Sequence, residues 1–138
     1  MISQKKDKNF ILISPYLKNK KGHAYNYASS LLALFKKNKY YFKIIIPKSS
    51  SIKEHKDFIP LLPNMERNFF LKIIYPLIFY KNLRGIIDNN TKNYNLVLES
   101  FHVIHLFILF IHLLRNKNLT LSIIFRYKNL YKIKNDYL

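Results

Sequence analysis

Apolar residues are distributed along the chain in two alternating patterns, short continuous runs and longer amphipathic segments. Continuous apolar runs that end at proline or polar residues are typical of parallel strands buried on both faces. This pattern predicts strands at 10–14, 41–46, 96–98 and 119–125, and at most a short edge strand at 58–63, where prolines interrupt the run. Helical periodicity predicts helices from Ala24 to the lysines at 36–39, over 64–84 and over 101–114. We expect Pro76 to kink or split the second helix.

The order of these elements predicts an α/β fold. Strands that alternate with helices form a parallel sheet with right-handed crossovers and helices on its faces. We therefore expect a single Rossmann-like domain over 1–126 and a polar tail over 127–138. Doubly wound domains usually continue with a further helix and strand, so we expect this domain to be incomplete. The alternatives are a compact small domain, or a homodimer that covers the remaining sheet face.

Composition and charge narrow the functional classes. The 138 residues carry a net charge of +17 but are 49% hydrophobic, which is enough for a core. Lysine greatly outnumbers arginine, and Lys, Asn, Ile, Tyr and Phe are all residues of A/T-rich codons. Because nucleic-acid surfaces favour arginine, the charge alone does not indicate a nucleic-acid partner. The chain has no cysteine, which excludes disulfides and thiolate metal sites and fits a cytoplasmic protein.

The apolar stretches are too short to predict a membrane span. The longest, 101–114, covers about two-thirds of the length that a bilayer requires, and histidines interrupt it. The N-terminal apolar run ends at Pro15, too early for the core of a signal peptide. We predict no transmembrane helix.

The predicted topology selects candidate site residues without any motif. Open parallel sheets bind ligands beyond the carboxyl ends of their strands. The residues at these positions are Tyr16, Gly22 and His23 after the first strand, Lys48 and Ser49 after the second, Glu99, Ser100 and His102 after the third, and Arg126 and Tyr127 after the last. Of these, Lys48 and Arg126 are the candidates for binding a phosphate or another anion.

Two of these loops suggest specific chemistry. Gly22 and His23 open a helix, whose N-terminus favours an anion or a hydroxyl oxygen; the alternative is a simple turn glycine beside an exposed histidine. His102 is a candidate general base for a sugar hydroxyl, with Glu99 orienting it. The alternative there is that Ser100 caps the helix and its neighbours are ordinary polar residues.

Three histidines share one side of the third predicted helix. His102, His105 and His112 are spaced by three and seven residues, close to whole helical turns. His102 and His105 together with Glu99 would supply three metal ligands. We favour the alternative that they are packing residues with one hydrogen bond each, and we predict neither a metal nor a cofactor.

Local patterns resemble a known enzyme family. The strand at 10–14, the loop to Gly22 and His23, the helix with Tyr27 and Leu31, and the strand at 42–46 together resemble the start of a GT-B glycosyltransferase of the family-4 type. The strand at 96–98, followed by Glu-Ser-Phe-His, is similar to the mid-domain strand and acceptor loop of these enzymes. The resemblance covers about residues 9–126.

The resemblance implies that this chain is the acceptor-binding half of such an enzyme. The acceptor would be a sugar or a lipid-linked sugar, bound by Tyr16, Gly22, His23, Glu99 and Ser100, with His102 as the catalytic residue. The donor domain and its paired-glutamate motif are absent from the sequence, so a donor-domain chain acting in trans is an expected partner. The chain also departs from the family in the loop before the first helix, which has one glycine where the family often has two or three.

The resemblance also implies contact with membranes, because these enzymes often dock through basic and aromatic helices. The segment 64–84, with Lys72, Lys81 and Arg84, is the candidate for peripheral binding to the anionic inner face of the membrane. The alternative is a core helix with lysines at its margin. Two further classes stay open, a non-enzymatic membrane-surface protein and a basic nucleic-acid-binding module, of which we do not expect the second.

Overall fold

The computed structural model describes residues 9–52, 55–64, 69–87, 93–99, 101 and 103–124. Within these ranges the chain forms five strands and three helices, and the predicted Rossmann-like α/β class is confirmed. In chain order the elements are β1 (Asn9–Ile13), α1 (His23–Lys37), β2 (Tyr41–Pro47), β3 (Phe58–Leu62), α2 (Phe69–Ile87), β4 (Tyr94–Glu99), α3 (Val103–Arg115) and β5 (Leu119–Ile124). The tail predicted at 127–138 lies outside the described residues.

The strands form one parallel sheet in the order β3-β2-β1-β4-β5. β1 lies at the centre and pairs with β2 on one side and with β4 on the other. Its sequence is apolar at four consecutive positions because a central parallel strand is covered on both faces. β3 lies at the edge, as predicted, where Pro60 costs few ladder hydrogen bonds.

Alternating side chains of the sheet face two separate cores. Leu12, Ile44 and Ile46 pack on one face against α1, through its buried Ala28 and Leu32. The opposite face packs against both α2 and α3 in a larger cluster. Its buried members are Ile11, Ile13, Ile45 and Leu62, Tyr94, Leu96, Leu98 and Leu119 of the sheet, and Tyr75, Phe79, Leu83, Ile87, Ile108 and Leu109 of the helices.

Of the two effects predicted for Pro76, a kink or a split of the second helix, the split does not occur. α2 is a single helix of 19 residues with Pro76 in its interior. A proline inside a helix removes one backbone hydrogen bond, and its ring clashes with the carbonyl group of the preceding turn. On either side of it, however, Tyr75, Phe79 and Leu83 fix α2 on the sheet, and this burial outweighs the local preference to end the helix.

The length and apolarity of a helix decide whether it is able to cross a membrane. Among the residues that the structure describes, no helix combines the length and the apolarity that crossing a bilayer requires.

An ion-pair cluster lies at the amino-terminal ends of the strands. The predicted site lies at the opposite, carboxyl-terminal ends. The carboxylate of Asp57, just before β3, lies 2.5 Å from Lys36 Nζ and 3.1 Å from Lys43 Nζ. The backbone carbonyl of Asp57 accepts a hydrogen bond from the Ile44 N–H at 2.9 Å. Burial raises the pKa of Asp57, but the hydrogen bonds and charges of the two lysines outweigh it, so that the net pKa lies below its ordinary value.

The lowered pKa of Asp57 predicts a pH-dependent contribution to stability. The contribution is fully present above the unfolded-state pKa of about 3.9 and is lost as the pH falls through the lower folded-state pKa. We expect Asp57→Asn to lower the free energy of unfolding by about 1 kcal/mol at pH 7, since Lys36 is half exposed and solvent weakens its part. Urea unfolding from pH 7 to pH 2 measures the difference, which should vanish at the acidic end.

A neighbouring lysine provides the control for this series. Lys37 follows Lys36 on α1 and is exposed, so Lys37→Met should change the unfolding free energy by less than about 0.5 kcal/mol at every pH. A difference between Asp57→Asn and the wild type that stayed constant down to pH 2 would show that Asp57 stabilises the fold without its charge.

Candidate functional site at the sheet switch point

The sheet topology creates a crevice at the carboxyl ends of β1 and β4. β1 leads into α1 on one face of the sheet, whereas β4 leads into α3 on the opposite face. The chain segments that leave these two neighbouring strands therefore diverge. Such a switch point is where open α/β sheets bind ligands. Of the predicted candidates, Tyr16, Gly22 and His23 follow β1, and Glu99 is the last residue of β4.

The segment after β1 holds Tyr16 at the surface of the crevice. Ser14 is buried and its N–H donates to the Ile45 carbonyl at 3.0 Å, while Leu17 is buried in the α1 core. Between these two anchors the Tyr16 side chain is 41% exposed. Partial burial raises the pKa of Tyr16, so its phenol stays protonated at neutral pH and is able to donate a hydrogen bond.

The N-terminus of α1 lies at the end of this loop. Gly22 occupies the N-cap position with a φ of 89°, which glycine adopts without strain. A Cβ atom at Gly22 would meet nothing within 4 Å, so the residue is required by the backbone and not by lack of space. Among the described residues no side chain caps the first turn, and His23 is exposed beside it. The free N–H groups of this turn suit an anion or a hydroxyl oxygen.

Glu99 lies on the other side of the crevice, at the carboxyl end of β4. Ile13 and Leu98 are paired in the ladder, so Ser14 and Glu99 are the next residues along the two strands. Glu99 is fully buried and Ser14 is 2% exposed. Strand alternation directs Glu99 to the same face as Val97, which packs against the α1 core. A carboxyl group is rarely buried so deeply, which makes Glu99 the most unusual of the predicted site residues.

Lys48 lies one strand further from the crevice. It follows β2, is exposed, and its backbone N–H donates to the Leu62 carbonyl at 2.9 Å. The loop beyond it is tied to the β1 loop, because the Lys18 carbonyl accepts hydrogen bonds from the Ser50 hydroxyl at 3.2 Å and the Ser51 N–H at 2.8 Å. These bonds fix the loops after β1 and β2 relative to each other.

The remaining predicted site residues are not described. Ser100, His102 and Arg126 lie outside the described residues, so the structure places neither the predicted general base nor the second anion-binding candidate. The structure therefore puts Tyr16, Gly22 and His23 after β1 and Glu99 at the end of the neighbouring strand β4, with Lys48 after β2.

A buried tyrosine–histidine pair lies beneath this end of the sheet. The hydroxyl of Tyr75 on α2 lies 2.8 Å from Nε2 of His105 on α3, and both side chains are buried. The imidazole also meets the Phe79 ring edge-on, with 5.5 Å between centroids. Burial, and to a smaller extent the nearby Tyr16, raise the pKa of Tyr75. Tyr75 thus lies at the contact between α2 and α3.

The histidines of α3 take part in helix packing. His112 is buried and its ring stacks on Tyr80 at 4.5 Å, two helical turns from His105. Within the described part of the chain, no cluster of three or more His, Cys, Asp or Glu residues is arranged to hold a metal. Their contacts with Tyr75 and Tyr80 make His105 and His112 packing residues between α2 and α3.

Sequence reasoning missed Tyr75 as a residue of functional interest. His105 belonged to the row of histidines that the helical spacing identified, but Tyr75 lies in an apolar segment without any distinguishing pattern. The available signal was that a tyrosine and a histidine on two apolar helices each need a hydrogen-bonding partner when buried.

Comparisons with protein-family models, with curated proteins and with solved structures found no match for this chain. The fold class is therefore established by the structure itself.

The Tyr75–His105 contact predicts a measurable effect on stability. Tyr75→Phe removes the hydroxyl and leaves a buried imidazole nitrogen without this partner, which should lower the free energy of unfolding by about 1–3 kcal/mol. Urea denaturation at pH 7 measures this change.

A matched control is available on the same helix. The hydroxyl of Tyr80 accepts a hydrogen bond from the exposed Arg115 guanidinium, so Tyr80→Phe should cost less than about 1 kcal/mol. Equal losses in the two variants would contradict the importance of the buried pair.

Proposed function

We propose that this domain is the acceptor-binding side of a glycosyltransferase that transfers a sugar from a nucleotide-sugar donor. The observation that carries the proposal is the switch point of the sheet, where the loop with Tyr16, Gly22 and His23 follows β1 and Glu99 ends the neighbouring strand β4. These are the positions at which the resemblance to GT-B enzymes puts the acceptor site. The Rossmann-like topology is the one that such a domain requires.

The side chains at the crevice suit a ligand with several hydroxyl groups. Tyr16 offers a protonated phenol, the first turn of α1 offers backbone N–H donors, and His23 offers an exposed imidazole. Together these exposed groups are able to hydrogen-bond the hydroxyl groups of a sugar. Glu99 is fully buried at the end of β4, so its proposed role is to orient His102, and no contact with the sugar is assigned to it.

The roles of the remaining candidate residues follow from the chemistry of sugar transfer. His102 is the proposed general base, because an imidazole titrates near neutral pH and follows directly on the Glu99 loop. Lys48 and Arg126 are proposed to neutralise a phosphate of the donor or of a lipid-linked acceptor. The donor is bound by a second domain or chain, and the reaction takes place in the cytoplasm.

The proposal predicts weak binding of sugar acceptors and no binding of nucleotide sugars by this chain alone. Saturation-transfer difference NMR with a panel of methyl hexopyranosides and with UDP-glucose measures both. We expect Tyr16→Phe to weaken glycoside binding severalfold, since its exposed phenol is a hydrogen-bond donor and a neutral hydrogen bond contributes about 0.5–1.5 kcal/mol.

The control variant is Asp57→Asn, which removes a buried carboxylate at the opposite end of the sheet and should leave glycoside affinity unchanged. Both variants are compared well below their unfolding temperatures. The proposal would be contradicted by tight binding of UDP-glucose to this chain, or by the absence of saturation transfer to every glycoside in the panel.

A further inference from the structure

α3 carries an exposed apolar stripe that continues into a groove beside β5. The stripe consists of Val103, Phe107, Phe110 and Leu114, which are 56–80% exposed and recur every three or four residues along the helix. The first three of these residues also line a groove of about 370 Å³ between α3 and β5, together with Leu106, Leu113, Leu121 and Ile123. Soluble monomers rarely expose a continuous apolar surface of this kind, so we looked for a partner that covers it.

The backbone of β5 has an open edge next to this groove. Within the described part of the chain, β5 pairs with β4 alone. The Tyr94 N–H donates to the Asn118 carbonyl at 3.1 Å, and successive residues of a strand direct their backbone groups to opposite sides. The N–H and C=O groups of Leu121 and Ile123 therefore point away from β4. Edge strands usually carry a charge, a proline or a bulge that prevents further pairing, and β5 has none of these.

The two faces of β5 differ in polarity. Thr120 and Ser122 are exposed, and they point to the face of the sheet opposite to α3. Leu121 and Ile123 point to the side of α3, where they line the groove. Water therefore suits one face of β5, and an apolar partner is needed only at its edge and on the side of α3.

A second copy of the chain fits the open edge and the groove at the same time. If two β5 strands pair antiparallel about a twofold axis, the two five-stranded sheets join into one. α3 packs over β4 and β5, the strands that it connects. Since neighbouring strands are about 4.8 Å apart, the two α3 helices would lie roughly 10 Å from each other. This is a distance at which helices pack through their side chains.

The charges of the chain permit this contact. None of the described residues that form β5 or line the groove is charged. Arg115 ends α3 and Lys117 follows it, and both are exposed. In an antiparallel pair of helices, the two Arg115 side chains lie at opposite ends, roughly 20 Å apart for helices of this length. That distance exceeds the screening length of about 8 Å at physiological salt, so these cations do not oppose the pairing.

The apolar area is sufficient for a reversible dimer. A phenylalanine offers roughly 200 Å² of surface, so the three exposed and four partly exposed residues of the groove would bury roughly 600 Å² in each copy. The total of roughly 1,200 Å² is at the lower end of specific interfaces. We therefore expect a dissociation constant in the micromolar range.

We propose that the β5 edge and the groove beside it form a twofold dimer interface, in which β5 pairs with β5 of a second copy and the two α3 helices pack on each other. The backbone groups of Leu121 and Ile123 extend the ladder, and Phe107 and Phe110 of each copy cover the groove of the other. Because the strands of the two copies run in opposite directions, their switch points lie at opposite ends of the joined sheet. The interface and the switch point consist of different residues, so this inference goes beyond the proposed sugar-acceptor function and does not depend on it.

Sedimentation equilibrium of the full chain, from about 1 to about 100 μM, tests the proposal. We expect the mass to rise with concentration from 16.7 kDa towards twice that value. Phe107→Ser with Phe110→Ser should raise the dissociation constant at least tenfold, since both side chains are exposed and line the groove. Ile123→Pro should have a similar effect, because it removes an N–H that points away from β4 and leaves the ladder with β4 intact.

Leu77→Ser is the matched control. Leu77 is a 69% exposed leucine on α2, and the Asn82 side chain of this helix donates to the Leu61 carbonyl at the opposite edge of the sheet. Its replacement should therefore leave the dissociation constant unchanged. Thermal unfolding verifies that each variant is folded, and Val103→Ser, at an 80% exposed position of the groove, repeats the test if the double variant is not.

Amide hydrogen exchange at several protein concentrations locates the interface. The amides of Leu121 and Ile123 should exchange more slowly as the concentration rises, because they exchange when the dimer dissociates. The amides of β3, at the other edge of the sheet, should not respond. A wild-type protein that is monomeric at about 100 μM would overturn the proposal. A dimer that the folded groove variants do not weaken would also overturn it, as would exchange of the β5 amides that is independent of concentration.

Discussion

The burial of β1 between two strands and two helical layers is the constraint on which the rest of the structure depends. β1 forms parallel ladders with β2 and β4, and Ile11, Leu12 and Ile13 are at most 1% exposed. Because Leu12 belongs to the α1 core and its neighbours to the α2–α3 core, one strand joins both hydrophobic clusters. The switch point is a direct consequence, since the helices that follow β1 and β4 cover opposite faces.

Much of this arrangement could be predicted from the sequence because parallel strands buried on both faces leave a simple signal. The apolar runs that became β1, β2, β4 and β5 were identified within a few residues, and proline content identified β3 as an edge strand. The rule that ligands bind beyond strand ends placed Tyr16, Gly22, His23 and Glu99 together without any motif. The sequence does not identify a ligand in the same way, because the loops contain only single polar residues, and such residues also occur in ordinary turns and helix caps.

Features that depend on tertiary packing could not be predicted. Local preference favoured a break at Pro76, but the burial of Tyr75 and Phe79 keeps α2 continuous. Lys39 adopts a φ of 60° after α1, where glycine is expected, because its N–H and that of Tyr40 complete the helix end with bonds to the carbonyls of Lys36 and Phe35. The Tyr75–His105 contact requires the two helices to be side by side. The exposed stripe of α3 was also missed, since a helix that is apolar all round indicates burial and not an outer face.

Native-state hydrogen exchange of the backbone amides tests the central role of β1 most directly. If β1 joins both cores, the amides of Ile11, Leu12 and Ile13 should exchange only through global unfolding, with a free energy equal to that from urea denaturation. The amides of β5, an edge strand with two exposed side chains, should exchange through openings of lower free energy. Exchange of the β1 amides at free energies equal to or below those of β5 would contradict the account.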